Sequence, residues 1–112
     1  MGQTTPLTDQ IYRSAIDAAD HLGSPVDAGS AARALAYELE LRGLRVQPVP
    51  RDDTPDGIDM MIVEEHDGVC VSAGELRNEE IDLGGLLRRH HWRRAHGVSV
   101  ENDALRIKTV VG

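Results

Sequence analysis

The sequence predicts a single α/β domain whose elements follow in the order α-α-β-β-β-α-β-β. Apolar residues recur every three or four positions over residues 9–42, which is typical of two amphipathic helices. Further along the chain, short segments alternate apolar and polar residues as strands do, and a third amphipathic segment interrupts them. The 112 residues match the length of one ordinary domain. We therefore expect a flexible lead over residues 1–8 and one domain over residues 9–112.

Capping residues support the two N-terminal helices. We expect the first helix to begin after Thr8 as N-cap and to end at Gly23. The second helix should start within "SPVD" and run to about Arg42, where Gly43 ends it. The apolar sides of these helices contain Ile11, Ala15, Ala18 and Leu22 in the first, and Ala28, Ala32, Leu35 and Leu39 in the second.

Strands and one more helix account for the rest of the chain. The segment "LRVQPV" predicts a strand, and "IDMMIVEE" and "VCVSA" predict a hairpin around the turn "HDG". A third helix is expected at about 83–95, and "GVSVE" and "ALRIKTVV" predict two closing strands. The inner side of the third helix is expected to contain Leu83, Leu86, Leu87, His90 and His91.

One face of the predicted third strand carries very small side chains. In "GVCVSAGEL", residues 68–76, Ser72 and Gly74 are neighbours on one face because side chains alternate along a strand. Strand faces usually carry bulkier residues, and glycine weakens a strand interior. A fold that places such a face in its sheet must either cover it or use it.

Composition and charge indicate a soluble globular protein with an uneven charge distribution. Hydrophobic residues make up 40% and charged residues 28% of the chain, and aromatic residues are scarce. Residues 1–82 contain six arginines against 17 acidic residues, whereas residues 83–112 have a net charge of +4. Only the C-terminal part should therefore attract phosphates. The single cysteine, Cys70, is interpreted as a small buried apolar residue.

The apolar segments of the sequence indicate the compartment in which we expect the protein. No run has the character of a signal peptide or the length of a transmembrane segment. We expect a cytoplasmic protein with no membrane partner, since a lone cysteine also suits a reducing compartment.

The phrase "ALAYELELRGLRV", residues 34–46, resembles the segment that follows the signature of GxxExxY proteins, small members of the PD-(D/E)XK nuclease-like superfamily. Leu22 and Gly23 match the start of the family pattern, and "DMMIVEEHDGVCVSAGEL" matches its β-hairpin. The segments "HGVSVEN" and "LRIKTVV" are similar to its last two strands. The resemblance implies a restriction-endonuclease-like core, in which helices flank a mixed β-sheet.

The resemblance also implies positions for the catalytic residues of such nucleases. The metal-binding Asp of the family corresponds to Asp59, and its Glu-x-Lys pair falls on Ser72 and Gly74. The signature Glu and Tyr of the second helix fall on Ala28 and Ala31. A nuclease of this class needs carboxylates to bind Mg²⁺ and a lysine to stabilise charge at phosphorus. These five positions are therefore expected to be vestigial, with no catalytic residue, bound metal or cofactor.

A count of lysines supports this expectation without any alignment. The chain contains one lysine, Lys108, in the last predicted strand, so a Glu-x-Lys hairpin motif is absent from the sequence. The Gln of the family's third helix would fall at Gly84 or Gly85. We therefore expect a catalytically inactive nuclease-like domain that acts as a binding, accessory or scaffold protein. Its partner would be an unidentified protein or a second copy of the chain in a homodimer.

Two alternatives remain open at this point. The first is a nucleic-acid-binding module that uses "LLRRHHWRRAH", residues 86–96. The same segment also fits an arginine-rich solvent face or a protein interface. The residues of the nucleic-acid-binding surface would be Arg88, Arg89, Trp92, Arg93 and Arg94. The second alternative is a metal-dependent nuclease with relocated ligands. "EEHD", residues 64–67, and the histidines His90, His91 and His96 are interpreted as a solvated turn and as structural residues instead.

Overall fold

A computed structural model of the protein describes residues 6–22, 28–54, 57–73, 82–100 and 105–112. Three helices and five strands follow one another in it in the predicted order. The elements are α1 Pro6–Leu22, α2 Ala28–Leu41, β1 Val46–Pro48, a 3₁₀ turn Arg51–Asp53, β2 Asp59–Val63, β3 Asp67–Ala73, α3 Leu83–His90, β4 Arg94–Val100 and β5 Leu105–Val111. The prediction of an α/β fold in this order is confirmed.

The strands form one mixed sheet in the order β1-β2-β3-β4-β5. Neighbouring strands are antiparallel except β3 and β4, which are parallel. A parallel pair needs a long crossover connection, and α3 lies within the connection from β3 to β4. This arrangement makes β3 the central strand of the sheet.

Helices cover both faces of the sheet, so two apolar cores lie on either side of β3. Val69 and Val71 pack with α1 and α2, whereas Cys70 packs with α3. The first core contains Ile11, Ala15, Ala18, Ala31, Ala32, Leu35, Leu39, Met61, Val63, Val69, Val71 and Val98. The second contains Ile58, Met60, Cys70, Leu83, Leu86, Leu87, Trp92 and Ala95. The prediction that Cys70 acts as a buried apolar residue is confirmed, since its side chain is inaccessible.

The hairpin between β2 and β3 turns earlier than the sequence predicts. Glu64 and Glu65 have φ angles of 54° and 70°, a left-handed conformation that ends β2 at Val63. The Arg45 side chain binds both carboxylates, at 3.2 Å from Glu64 and 3.1 Å from Glu65. Hydrogen bonds from the Arg45 backbone and side chain also lower the pKa of Glu64. These contacts favour the turn at residues 64–66, whereas the sequence predicted it at "HDG".

The helix ends also differ from their predicted positions. α3 stops at His90 because His91 adopts a left-handed conformation with φ 57°, and β4 begins at Arg94 instead of continuing the helix to residue 95. α1 begins at Pro6, so it includes Thr8, which was predicted to precede it. The predicted cap at Gly23 and the "SPVD" start lie outside the described residues, as do residues 1–5 of the predicted lead. None of the described helices is long and apolar enough to cross a membrane.

Gly68 is required because the Trp92 ring lies directly against it. A methyl group at this position would overlap three ring atoms of Trp92. We expect Gly68→Ala to lower the free energy of unfolding by about 1–3 kcal/mol, as overpacked cores do. Urea unfolding followed by circular dichroism measures this loss.

The control for this substitution is the same change in a Trp92→Leu background. Because leucine leaves space where the ring lay, the added cost of Gly68→Ala should fall to a fraction of its wild-type value. An equal cost in both backgrounds would show that the ring does not require the glycine.

Candidate functional site

Asp59 and Ser72, two of the vestigial positions, lie on opposite faces of the sheet. Asp59 pairs with Val71 in the antiparallel register of β2 and β3, and paired residues point to the same face. Ser72 therefore points to the other face, with Cys70. The resemblance implies one active-site face for Asp59, Ser72 and Gly74, but the register separates the first two, and Gly74 lies outside the described residues.

The face that carries Asp59 has aliphatic neighbours where a nuclease would have polar ones. On β3 this face carries Val69 and Val71, and on α2 Ala31 is almost completely buried against it. Ala28 opens α2, although its side chain lies outside the described set. Over the ranges that the structure describes, no three His, Cys, Asp or Glu side chains are close enough together to bind a metal.

The small face of β3 is covered. Ser72 is fully buried, and its register partner on β4, Ser99, is also fully buried. Both hydroxyl groups lack a hydrogen-bond partner among the described residues. Gly68 and Cys70 lie on the same face, where the Trp92 ring and the leucines of α3 pack. The small side chains therefore let α3 and Trp92 approach the sheet closely, and this face is a filled core.

A cavity lies beside Asp59, between α2 and the strands β1 and β2. Its volume is about 420 Å³, and Arg33, Glu40 and Asp59 are the charged residues among those that line it. The lining residues are Gly29, Ala32, Arg33, Ala36, Glu40, Val46, Pro48, Val49, Asp59, Met60 and Met61. We call this cavity the α2 pocket. The retained carboxylate thus lies at a concave surface, without the other groups of the nuclease motif.

A buried hydrogen-bonded network joins three strands on the face covered by α1 and α2. Asp67 Oδ2 is 2.8 Å from His96 Nε2, and His96 Nδ1 is 3.0 Å from the Thr109 hydroxyl. Asp67 and His96 are both at most 1% exposed. The His96 tautomer that carries its proton on Nε2 donates to Asp67 and leaves Nδ1 to accept from the Thr109 hydroxyl. Asp67 on β3, His96 on β4 and Thr109 on β5 are thereby held in register.

The sequence pattern did not predict this network, because Asp67 was interpreted as part of a solvated turn. Asp67 alternates with Val69 and Val71, and His96 alternates with Val98, so period 2 alone places both on the buried α1–α2 face. The other residues of "EEHD" do lie at the turn, where Glu65 and His66 are exposed. The interpretation of His96 as a structural residue agrees with its contacts.

The five residues predicted for a nucleic-acid surface do not form one surface. Trp92 is 5% exposed and stacks on His90 with ring centroids 4.7 Å apart, so its ring is not available to a base. Arg94 points to the opposite face of the sheet, where its Nε lies 3.7 Å from Asp67 Oδ2. These two side chains therefore do not lie with the other three arginines. Arg88, Arg89 and Arg93 are exposed, and we call them the arginine surface.

The arginine surface has little charge compensation. Arg89 is 3.9 Å from Asp53, and both side chains are more than half exposed, so the pair is weak. Arg88 and Arg93 have no carboxylate within ion-pair distance in the described part of the chain. By contrast, Arg42 binds Asp17 at 2.6 Å and Glu38 at 3.3 Å, and Arg13 binds Asp9 at 2.8 Å.

Comparisons with protein-family models, with curated proteins and with solved structures give no match to this chain. The resemblance to GxxExxY proteins therefore stays a prediction from the residues quoted above. The structure itself supports the coarser statement, an α/β fold in which helices cover both faces of a five-stranded mixed sheet.

Removal of the His96 side chain should destabilise the fold strongly. His96→Ala would leave the buried Asp67 carboxylate without its closest partner, and an unsatisfied buried acceptor of this kind costs about 1–3 kcal/mol, more when it is charged. Thr109→Val, which removes one hydrogen bond at the exposed end of the network, should cost about 1 kcal/mol. Urea unfolding, followed by Trp92 fluorescence, measures both. Equal effects of the two substitutions would contradict the assignment of Asp67–His96 as the structural pair.

Cys70 should react with thiol reagents only when the chain unfolds. Burial raises the pKa of its thiol to about 12, so the folded protein contains very little thiolate at about pH 8. We expect an aromatic disulfide reagent to modify Cys70 at a rate that rises with urea in parallel with the unfolded fraction. Immediate modification in native buffer, with an unchanged circular dichroism spectrum, would contradict the burial of β3.

Proposed function

We propose that the protein is a catalytically inactive nuclease-like domain that acts by binding, as an accessory or scaffold protein. The observation that carries this proposal is the separation of Asp59 from Ser72 across the sheet. The residues of β3 next to Asp59 on its face, Val71 and Val69, cannot bind a metal ion, and Asp67 lies at the other end of this face, where it binds His96. Phosphodiester cleavage by this class needs a metal held by oxygen ligands to activate water.

A relocated metal site has less support than a binding role. Asp67 and His96 are the closest acid–imidazole pair described, and Asp67 Oδ2 and both His96 ring nitrogens are committed to each other and to Thr109. Asp67 Oδ1 is buried and has no hydrogen-bond partner among the described residues. Both side chains are inaccessible, so a substrate phosphate could not reach them without opening the core.

Exposed apolar side chains on the first two helices support a protein partner or self-association. Tyr12 and Ile16 are one turn apart on α1, and Tyr37 and Leu41 are one turn apart on α2. Tyr37 and Leu41 are each 63% exposed. Paired exposed apolar residues of this kind are typical of interaction surfaces, and they fit the expected accessory protein or homodimer.

Nucleic-acid binding through the arginine surface is a second candidate function. The observation that favours it is that Arg88 and Arg93 are exposed and lack a carboxylate partner in the described ranges. Because the Trp92 ring is buried, such binding would depend on phosphate contacts and not on base stacking. It would therefore show little sequence preference and a strong dependence on salt.

A cleavage assay tests the main proposal. Plasmid DNA, single-stranded DNA and RNA are incubated with the protein and Mg²⁺ or Mn²⁺, next to an Asp59→Ala variant purified in the same way. We expect no difference between the two proteins, because Asp59 lacks the second carboxylate and the lysine that the chemistry needs. Metal-dependent cleavage by the wild type that Asp59→Ala abolishes would overturn the proposal.

Paired charge reversals test the second candidate. Arg88→Glu with Arg93→Glu reverses two of the three charges of the arginine surface, and Arg13→Glu with Arg33→Glu makes the same change in net charge elsewhere. Fluorescence anisotropy of a labelled DNA duplex should detect binding at low salt that only the first variant loses. Three phosphate contacts predict a slope of log K against log salt no steeper than about −3. Equal loss in both variants, or no binding by the wild type, would exclude this candidate.

A further inference from the structure

We propose that the α2 pocket binds a small molecule that has an apolar body and a positively charged amine. Its lining includes no residue of the arginine surface and none of the exposed apolar residues named above, so the proposal goes beyond the binding role argued there. Its volume of about 420 Å³ lies in the range of protein sites for small ligands.

Small residues on α2 explain why the space is open. Gly29, Ala32, Ala36 and Glu40 recur at intervals of three and four, so they follow one face of the helix towards β1 and β2. Glycine and alanine cannot fill the distance between this helix face and the strands. The opposite wall consists of Val46, Pro48 and Met61, which share the face under α2, and of the chain at Val49 and Met60, whose side chains pack in the core under α3. An apolar ligand body would lie against Val46, Pro48 and Met61.

The strands hold the wall of the pocket in place. Pro48 pairs with Met61 in the antiparallel register, and the Val49 N–H donates to the Met60 carbonyl at 3.0 Å. Met60 and Met61 are each 4% exposed, so the wall belongs to the packed core and not to a loose loop. A ligand would thus meet a largely preformed surface, which lowers the entropic cost of binding.

The charge of the ligand follows from Glu40. Three charged residues line the pocket, and Arg33 and Asp59 oppose each other in sign. Asp59 already has an interaction partner, and Arg33 lies 3.5 Å from the Ser30 hydroxyl. Glu40 is exposed and has no ion-pair partner in the described ranges of the chain. The uncompensated charge at the rim is therefore negative, and an ammonium group beside Glu40 complements it.

Methionine methyl signals provide a direct readout of binding. The chain contains three methionines, and the side chain of Met61 lies on the pocket side of the sheet, whereas that of Met60 lies in the core under α3. The probes are 4-phenylbutylamine, 4-phenyl-1-butanol and 4-phenylbutyrate, which share an apolar body and differ in charge. We expect 4-phenylbutylamine to shift the ¹³C-methyl signal of Met61 saturably, and by more than that of Met60 on the other face of the sheet. The amine should bind tightest and the acid weakest.

Two variants test where the probes bind and whether Glu40 recognises the charge of the amine. Ala36→Leu places a larger side chain in the pocket and should abolish the shifts with all three probes, while circular dichroism and urea unfolding confirm that it folds. Glu40→Gln should weaken binding of the amine by about two- to five-fold and leave the alcohol unchanged, as expected for a rim ion pair. Asp20→Asn, an exposed change on α1, is the matched charge control and should leave both unchanged.

Several results would overturn the proposal. One is the absence of a Met61 shift with probes at up to about 10 mM, where millimolar affinity would be saturated. A second is binding that survives Ala36→Leu, which would place the ligand elsewhere. A third is tighter binding of the acid than of the amine, which would contradict the role of Glu40. None of these outcomes depends on the arginine surface or on nuclease activity.

Discussion

The alternation of side chains along β3 is the constraint on which the rest of the structure depends. β3 is the central strand, bonded to β2 on one side and to β4 on the other, and helices cover both of its faces. Valines on one face meet α1 and α2, and Gly68, Cys70 and Ser72 on the other meet α3 and Trp92. A shift of the strand by one residue would exchange these two sets and disrupt both cores.

This constraint also determines what chemistry the sheet can support. A nuclease-like metal site needs its carboxylates on one face, next to an accessible cleft. Here the residues of β3 next to Asp59 on its face are valines, and Asp67 at the other end of that face binds His96. Ser72 lies on the opposite face, in a core that the small residues make dense. The concave surface that remains beside Asp59 is largely apolar, so it suits the binding of an apolar molecule better than the hydrolysis of a phosphodiester.

The helices and strands could be predicted from apolar periodicity because each buries one face, but their ends depend on backbone conformations that periodicity does not report. Glu64, Glu65 and His91 adopt positive φ, which side chains of their kind rarely favour. The face on which Asp59 lies could be predicted from the sequence. A three-residue loop pairs odd-numbered residues with each other, whether it spans residues 64–66 or 66–68. Asp59 therefore shares a face with Val69 and Val71. The resemblance assigns the family's Glu and Lys to Ser72 and Gly74, which conflicts with that pairing because even-numbered residues of β3 lie on the other face. The burial of Trp92 depends on its contact with Gly68, which is distant in sequence.

Nuclear Overhauser effects from the two adjacent methionines test the central claim, that the β2–β3 register separates Asp59 from Ser72. Met61 shares the face of Asp59 and belongs to the core under α1 and α2, whereas Met60 belongs to the core under α3. The account predicts contacts from the Met61 methyl to Leu35 and Val69, and from the Met60 methyl to Leu86 and Leu87. The reverse pattern, with Met60 against Leu35 and Met61 against the leucines of α3, would contradict it.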